Sequence, residues 1–151
     1  MGDLSGKKGL ILGVGNQRSI AWAVAEQLHA QGANLGLTYL SDPKGRFEAN
    51  VRKLGEKVGA AFISECDVGD VGSIERMAGE LADQWEGSDF LVHSLAYADQ
   101  QDLQIPFSQT SREGFAKAHL ISAYSLLPLC AAVVPLMKKN GGGSIVNVSS
   151  I

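Results

Sequence analysis

The chain has 151 residues, 45% of them hydrophobic and 19% charged, with a formal net charge of -3. That composition supports one globular domain with a substantial core and excludes a collagen-like or disordered chain. A mild acidic excess gives no electrostatic footing for nucleic acid or an anionic membrane surface, so neither is expected as a partner. Cys66 and Cys130 lie far apart in apolar runs without metal-ligand spacing, which predicts buried free thiols, no metal site and a cytoplasmic setting. The start, Met1 to Lys8, is too polar for a signal peptide, and Gly2 lacks the serine or threonine that myristoylation wants. The apolar run Leu126 to Met137 is short for a bilayer and carries Pro128 and Pro135, so no membrane insertion is expected.

Along the chain an apolar run, a turn and a segment of helical period recur. Gly9 to Val14 reads as a strand buried on both faces, and Ile20, Ala21, Val24, Ala25 and Leu28 then recur at helical spacing before Gly32 stops them. A strand follows at Asn34 to Leu40, a helix at Arg46 to Glu56 and a strand at Ala60 to Ser64. The next helix, Val71 to Trp85, carries Ile74, Met77, Ala78 and Leu81 on one face. Asp89 to Ser94 is a strand, an irregular stretch runs through Gln104, and a long helix spans Ser111 to Lys138. Pro128 should kink or split that helix, because proline removes a helical hydrogen bond. Ser144 to Val148 is the last apolar strand.

Strands this continuously apolar, alternating with helices, predict a parallel sheet covered on both faces. With right-handed crossovers this is an α/β, doubly wound, Rossmann-like fold, ending here after its fifth strand. Residues 1–151 then read as one dinucleotide-binding domain, incomplete at its C-terminal side. In such a fold the ligand crevice lies at the carboxyl ends of the strands, so the informative residues should follow them.

The first such loop is Gly13-Val14-Gly15-Asn16-Gln17-Arg18-Ser19-Ile20-Ala21. Pyrophosphate needs backbone N–H donors at a helix N-terminus, and glycine lets the backbone approach. Gly13 and Gly15 supply that approach, and Ser19 can cap the helix and offer its hydroxyl to a phosphate; a plain tight turn is the alternative. After the second strand, Asp42 would suit the ribose of NAD, while Lys44 and Arg46 would suit a 2′-phosphate, and Leu40 can do neither. All of these could equally be solvated turn residues. After the third strand, Asp67 and Val68 are placed to read an adenine through a carboxylate and a backbone N–H; otherwise Asp67 is a helix cap. His93 sits inside a buried run, which predicts a packed, hydrogen-bonded ring and not a general base. His29 and His119 fall on helices and suggest no role.

The spacing Gly13-x5-Ser19-Ile20-Ala21, the opening Leu4-Ser5-Gly6-Lys7 and the turn Val92-His93-Ser94-Leu95-Ala96 resemble the enoyl-acyl-carrier-protein reductases of the short-chain dehydrogenase superfamily. Arg112 to His119 and Ile121 to Ser125 are similar to the same group. The resemblance implies reduction of the double bond of 2-enoyl thioesters on acyl carrier protein, in fatty acid synthesis, by a homo-oligomer (a homotetramer). It implies NADH as cofactor, with NADPH possible. It places Gly13, Ser19, Ile20, Asp67, Val68 and Leu95 at the cofactor and Ala98 beside the acyl chain. Tyr124 reads as helix packing. Gly142-Gly143-Ser144 through Ser149-Ser150 is closer to the keto-reductase and alcohol dehydrogenase branch, where the second serine, here Ser150, helps bind the substrate oxygen. A keto-reductase and a non-catalytic nucleotide-binding module are therefore the alternatives. The superfamily's tyrosine acid and its lysine would lie past Ile151, so the chain reads as an inactive, aggregation-prone fragment of a longer enzyme with an open sheet edge.

Overall fold

The computed structural model describes residues 2–149. Five parallel strands form one sheet in the order β3-β2-β1-β4-β5: β1 (Lys8–Leu12), β2 (Asn34–Tyr39), β3 (Phe62–Glu65), β4 (Phe90–His93) and β5 (Ser144–Asn147). The connecting helices are α1 (Ile20–Ala30), α2 (Arg46–Lys57), α3 (Val71–Gln84), α4 (Arg112–His119) and α5 (Leu126–Lys139). The doubly wound fold expected from the apolar runs is thus the one observed.

Side-chain alternation along the central strands builds two cores at once. Leu10 and Leu12 of β1 and Leu91 of β4 pack with Ile74, Met77 and Leu81 of α3 and with Leu129 and Val133 of α5. Ile11 and Val92, one residue out of phase, face Trp22 and Ala25 of α1 and Val51 and Leu54 of α2. Each fully buried leucine or isoleucine contributes roughly 1.5–3 kcal/mol relative to exposure, so the central strands anchor the fold. At the amino ends of the strands, opposite the crevice, Asp89 accepts hydrogen bonds from the Lys8 backbone (2.8 Å) and the Lys7 ammonium (3.0 Å).

Three elements differ from the periodic reading. The third strand begins at Phe62 and not Ala60, because the Ala60 N–H donates to the Gly55 carbonyl (2.9 Å) and closes the end of α2. The long C-terminal helix is not split at Pro128; it widens a turn earlier, where Leu120–Tyr124 is a π turn sealed by the Ser125 N–H on the Leu120 carbonyl (3.0 Å). Pro128 is the third residue of α5, directly after the π turn. Counted through the π turn, Arg112–Lys139 is a continuous 28-residue helix, long and apolar enough to cross a membrane. Here Leu129, Val133, Leu136 and Met137 bury one side of it against the sheet. The third difference is β5, which pairs with β4 but lies exposed along its length.

Candidate active site

Strand order reverses between β1 and β4, and the crevice at their carboxyl ends is where this topology takes ligands. Two cavities open there. One, of about 520 Å³, is walled by Gly13, Gly15, Leu40, Phe47, Asp67 and Val68, with Leu95, Tyr97 and Lys117 opposite. The other, of about 630 Å³, is walled by Ile20, Ser94, Leu95 and Ala96, by His119 and Ser122, and by Val148 and Ser149. Leu95 lines both.

The glycine loop turns out of β1 at Gly13, whose φ is +99°. A Cβ at this position would overlap the Ser94 carbonyl of the neighbouring β4 loop. Its first duty is therefore to let two loops of the crevice close on each other. Gly15 has open space around it and lines the cavity, so of the two glycines it is the one that leaves room at the wall. The sequence did not separate these two roles. Asn50 on α2 donates its amide to the Gly15 carbonyl, which fixes the loop from outside.

Ser19 is the N-cap of α1: its hydroxyl oxygen accepts from the Trp22 N–H (3.3 Å) and its proton goes to the Asn16 carbonyl (2.7 Å). A phosphate contact would need that proton to turn outward. Ile20 opens the helix and leaves its side chain 62% exposed at the cavity.

Asp67 and the helix cap are different residues. Asp70 caps α3 by accepting from the Gly72 N–H (3.0 Å), while Asp67 accepts from the Gly69 N–H (2.8 Å) and stands exposed on the cavity wall. Val68 beside it is half-buried against the core. Asp42 is already engaged: its carboxylate takes the N–H groups of Lys44 (3.0 Å) and Phe47 (2.8 Å) and pairs with Arg46 at 3.7 Å. The Phe47 N–H foremost holds its pKa below the usual carboxylate range, against partial burial. The wall after β2 is left to Leu40 and Phe47, and it is apolar.

His93 is completely buried, with Nδ1 2.7 Å from Asn147 Oδ1 and Nε2 2.8 Å from the Ser125 hydroxyl. The packed ring expected from the sequence is what the structure holds. Ala98 lines neither cavity; Ala96 and Tyr97 take the wall positions instead. Ser150 lies outside the described residues.

Periodicity passed over one further group. The Lys117 ammonium donates to Asp99 (2.8 Å) and to the Tyr97 hydroxyl (3.0 Å), which itself donates to Asp99 (2.6 Å). Asp99 foremost raises the Lys117 pKa, and Lys117 foremost lowers that of Asp99. The clasp pins the loop after β4 to α4 above the first cavity. A Tyr-x-Asp followed at a distance by a helical lysine carries no periodic signal.

Fold and crevice together define a doubly wound α/β protein with a glycine loop at its switch point. The family model described as enoyl-(acyl carrier protein) reductase matches residues 13–151. The chain is 46% identical over 147 residues to the NADH enoyl-acyl-carrier-protein reductase of Nostoc sp., covering 97% of this chain and 56% of that protein. It is 40% identical to the Synechocystis sp. enzyme of the same name, again over 97% of this chain and 56% of the relative. The crystal structure of the Aquifex aeolicus enzyme superposes with a TM-score of 0.90 at 40% identity, covering 98% of this chain and 57% of that one. A structure from Anaplasma phagocytophilum, in complex with NAD, gives 0.88 at 39% identity over 97% of this chain and 54% of its own. The chain belongs to the enoyl-(acyl carrier protein) reductase family. It spans a little over half the length of the relatives it matches.

Proposed function

We propose that this chain is the cofactor-binding part of an NADH-dependent enoyl-acyl-carrier-protein reductase that reduces the 2,3 double bond of enoyl thioesters in fatty acid synthesis. Residues 1–151 belong, in this reading, to one dinucleotide-binding domain. The carrying observation is that the family match covers the crevice loops, with relatives named for NADH and one of them solved with NAD. The residues present fit such a cofactor. Gly15 leaves open space beside the N-terminus of α1, where N–H groups favour a pyrophosphate. Asp67 and Val68 stand at the end of β3 to meet the adenine, and Leu40 and Phe47 offer its sugar an apolar wall. Arg46, one of the two cations after β2, is paired with Asp42, and the relatives are named for NADH, so NADH is favoured over NADPH.

Once bound, the nicotinamide supplies the hydride. The chain's own part is to orient it. Ile20 and Leu95 pack the second cavity, with Ser94 and Ala96 beside them, and Ser19 holds the start of α1 in place. The acyl thioester, delivered on acyl carrier protein, would approach from the Ala96–Ala98 side. The described cysteines are free thiols, consistent with a reducing cytoplasm. Phe115, Leu120, Tyr124 and Leu127 leave an exposed apolar face along the long helix, which suits a homo-oligomer in which a second copy covers it; four copies is the resemblance's own implication. The test is to assay the intact enzyme with enoyl and 3-keto thioesters and both cofactors. Turnover of the enoyl substrate with NADH is expected, and preference for the keto substrate would overturn the assignment.

A further inference from the structure

Besides Ile20 at the start of α1, three pieces of chain wall the second cavity: the turn after β4, the residues after β5, and the helical segment through the π turn. These three meet at one buried ring. His93 is the last residue of β4, directly before Ser94. Its Nδ1 reaches Asn147, the last residue of β5, and its own carbonyl accepts the Val148 N–H at 2.8 Å. Its Nε2 reaches Ser125, which closes the π turn through its N–H on Leu120 and its hydroxyl on the Ile121 carbonyl (2.7 Å). His93 and Ser125 are both fully buried. The Ser125 hydroxyl gives its one proton to the Ile121 carbonyl, so its oxygen accepts from Nε2–H, and the Asn147 side-chain amide can turn to meet Nδ1 as a donor. The bond to Ser125 is fully buried, and there a polar group that loses its partner costs more than the bond itself gained.

The π turn shows why a clamp is needed here. Widening to i→i−5 bonding is poorer than regular helix and persists where surrounding structure holds it. It is also what presents Ser122 to the cavity and to the loop after β4, where the Ser122 hydroxyl accepts from the Tyr97 N–H (2.9 Å).

We propose that His93 is a positioning residue: by bonding β5 and the π turn at once, it holds three of the walls of the nicotinamide end of the crevice in register. This rests on the dinucleotide reading above, in which the cavity beside Gly15 and Asp67 takes the adenosine half and the cavity beside Ser94 takes the nicotinamide.

The experiment compares NADH with ADP-ribose, which lacks the nicotinamide, by calorimetry on the intact enzyme. His93→Phe removes both ring hydrogen bonds and should weaken NADH by about tenfold or more, while leaving ADP-ribose within about twofold. Ser125→Ala removes only the π-turn arm and should show the same split, so it carries the test if His93→Phe does not fold. His93→Gln, whose amide can still reach Ser125, should restore part of the NADH affinity. Equal losses for both ligands, or no loss for either, would overturn the proposal by reducing His93 to packing. An unsubstituted enzyme that binds neither ligand would overturn the dinucleotide reading and this role with it.

Discussion

Gly13 and Ser94 share one volume: the Cβ that residue 13 lacks would lie on the Ser94 carbonyl. This contact sets what a substitution in the glycine loop will report. Gly13→Val meets both a backbone clash and a φ of +99°, which a side chain rarely adopts. It should destabilise the fold by more than about 1–3 kcal/mol, the usual cost of one strained backbone position. Gly15→Val has open space and should keep stability within about 0.5 kcal/mol while obstructing the cavity. Urea midpoints beside NADH titrations separate the two, and a Gly15→Val protein with unaltered NADH affinity would remove the loop from the cofactor site.

Asp67 and Asp70 provide a second contrast three residues apart. Asp70→Ala loses the cap on α3 and should cost about 0.5–2 kcal/mol of stability without altering cofactor binding. Asp67→Ala should weaken NADH by roughly 1.5–3 kcal/mol, the scale of a hydrogen bond to a charged group. A reduced nicotinamide mononucleotide, which has no adenine, should bind Asp67→Ala as it binds the parent. Equal losses for both ligands would place Asp67 in loop structure alone.

Asp89 predicts an acid limb to stability. Burial pushes its pKa up, but the Lys8 N–H and the Lys7 ammonium outweigh burial and hold it below the ordinary 3.8. A carboxylate lowered on folding contributes stability that is fully present above its unfolded pKa and is lost as pH falls through the lower folded value. Asp89→Asn should therefore cost about 1–2 kcal/mol at pH 7, part of it small because Lys7 is half exposed. The difference from the parent should shrink as the pH drops below 3.8, read from urea midpoints across the acid range. A gap that stays constant with pH would show that the carboxylate charge contributes nothing.

Cys66 should be inert while the chain is folded. Burial foremost, then the charges of Asp67 and Glu65, push its thiol up to about 12. Only the thiolate is nucleophilic, so at pH 8 a thiol reagent should label Cys66 slowly in the native protein and rapidly in denaturant. Rapid labelling of native Cys66 would mean that the end of β3 opens readily.

Local sequence determined the elements of this protein, because each is a short-range pattern. The hydrophobic runs marked the five strands, helical spacing marked α1 to α3, and Ser19 before Ile20 marked a capped helix start. His93 inside an apolar run was enough to foretell a buried, bonded ring. What needed the tertiary structure was every choice between chemically equal neighbours. Asp67 and Asp70 carry the same carboxylate, and only the turn after β3 decides which one caps α3 and which one stands on the cavity wall. Asp42 could have met a ribose, but the chain folds back and spends it on the backbone of α2. The long helix widens at Leu120–Tyr124 and is not split at Pro128, and the Ser125 that closes the π turn meets His93 from 32 residues away. The partner of the other ring nitrogen, Asn147, is 54 residues away. Periodicity reports which face of an element is apolar over a few turns; it carries no information about which polar atoms meet once strands from distant parts of the chain lie side by side.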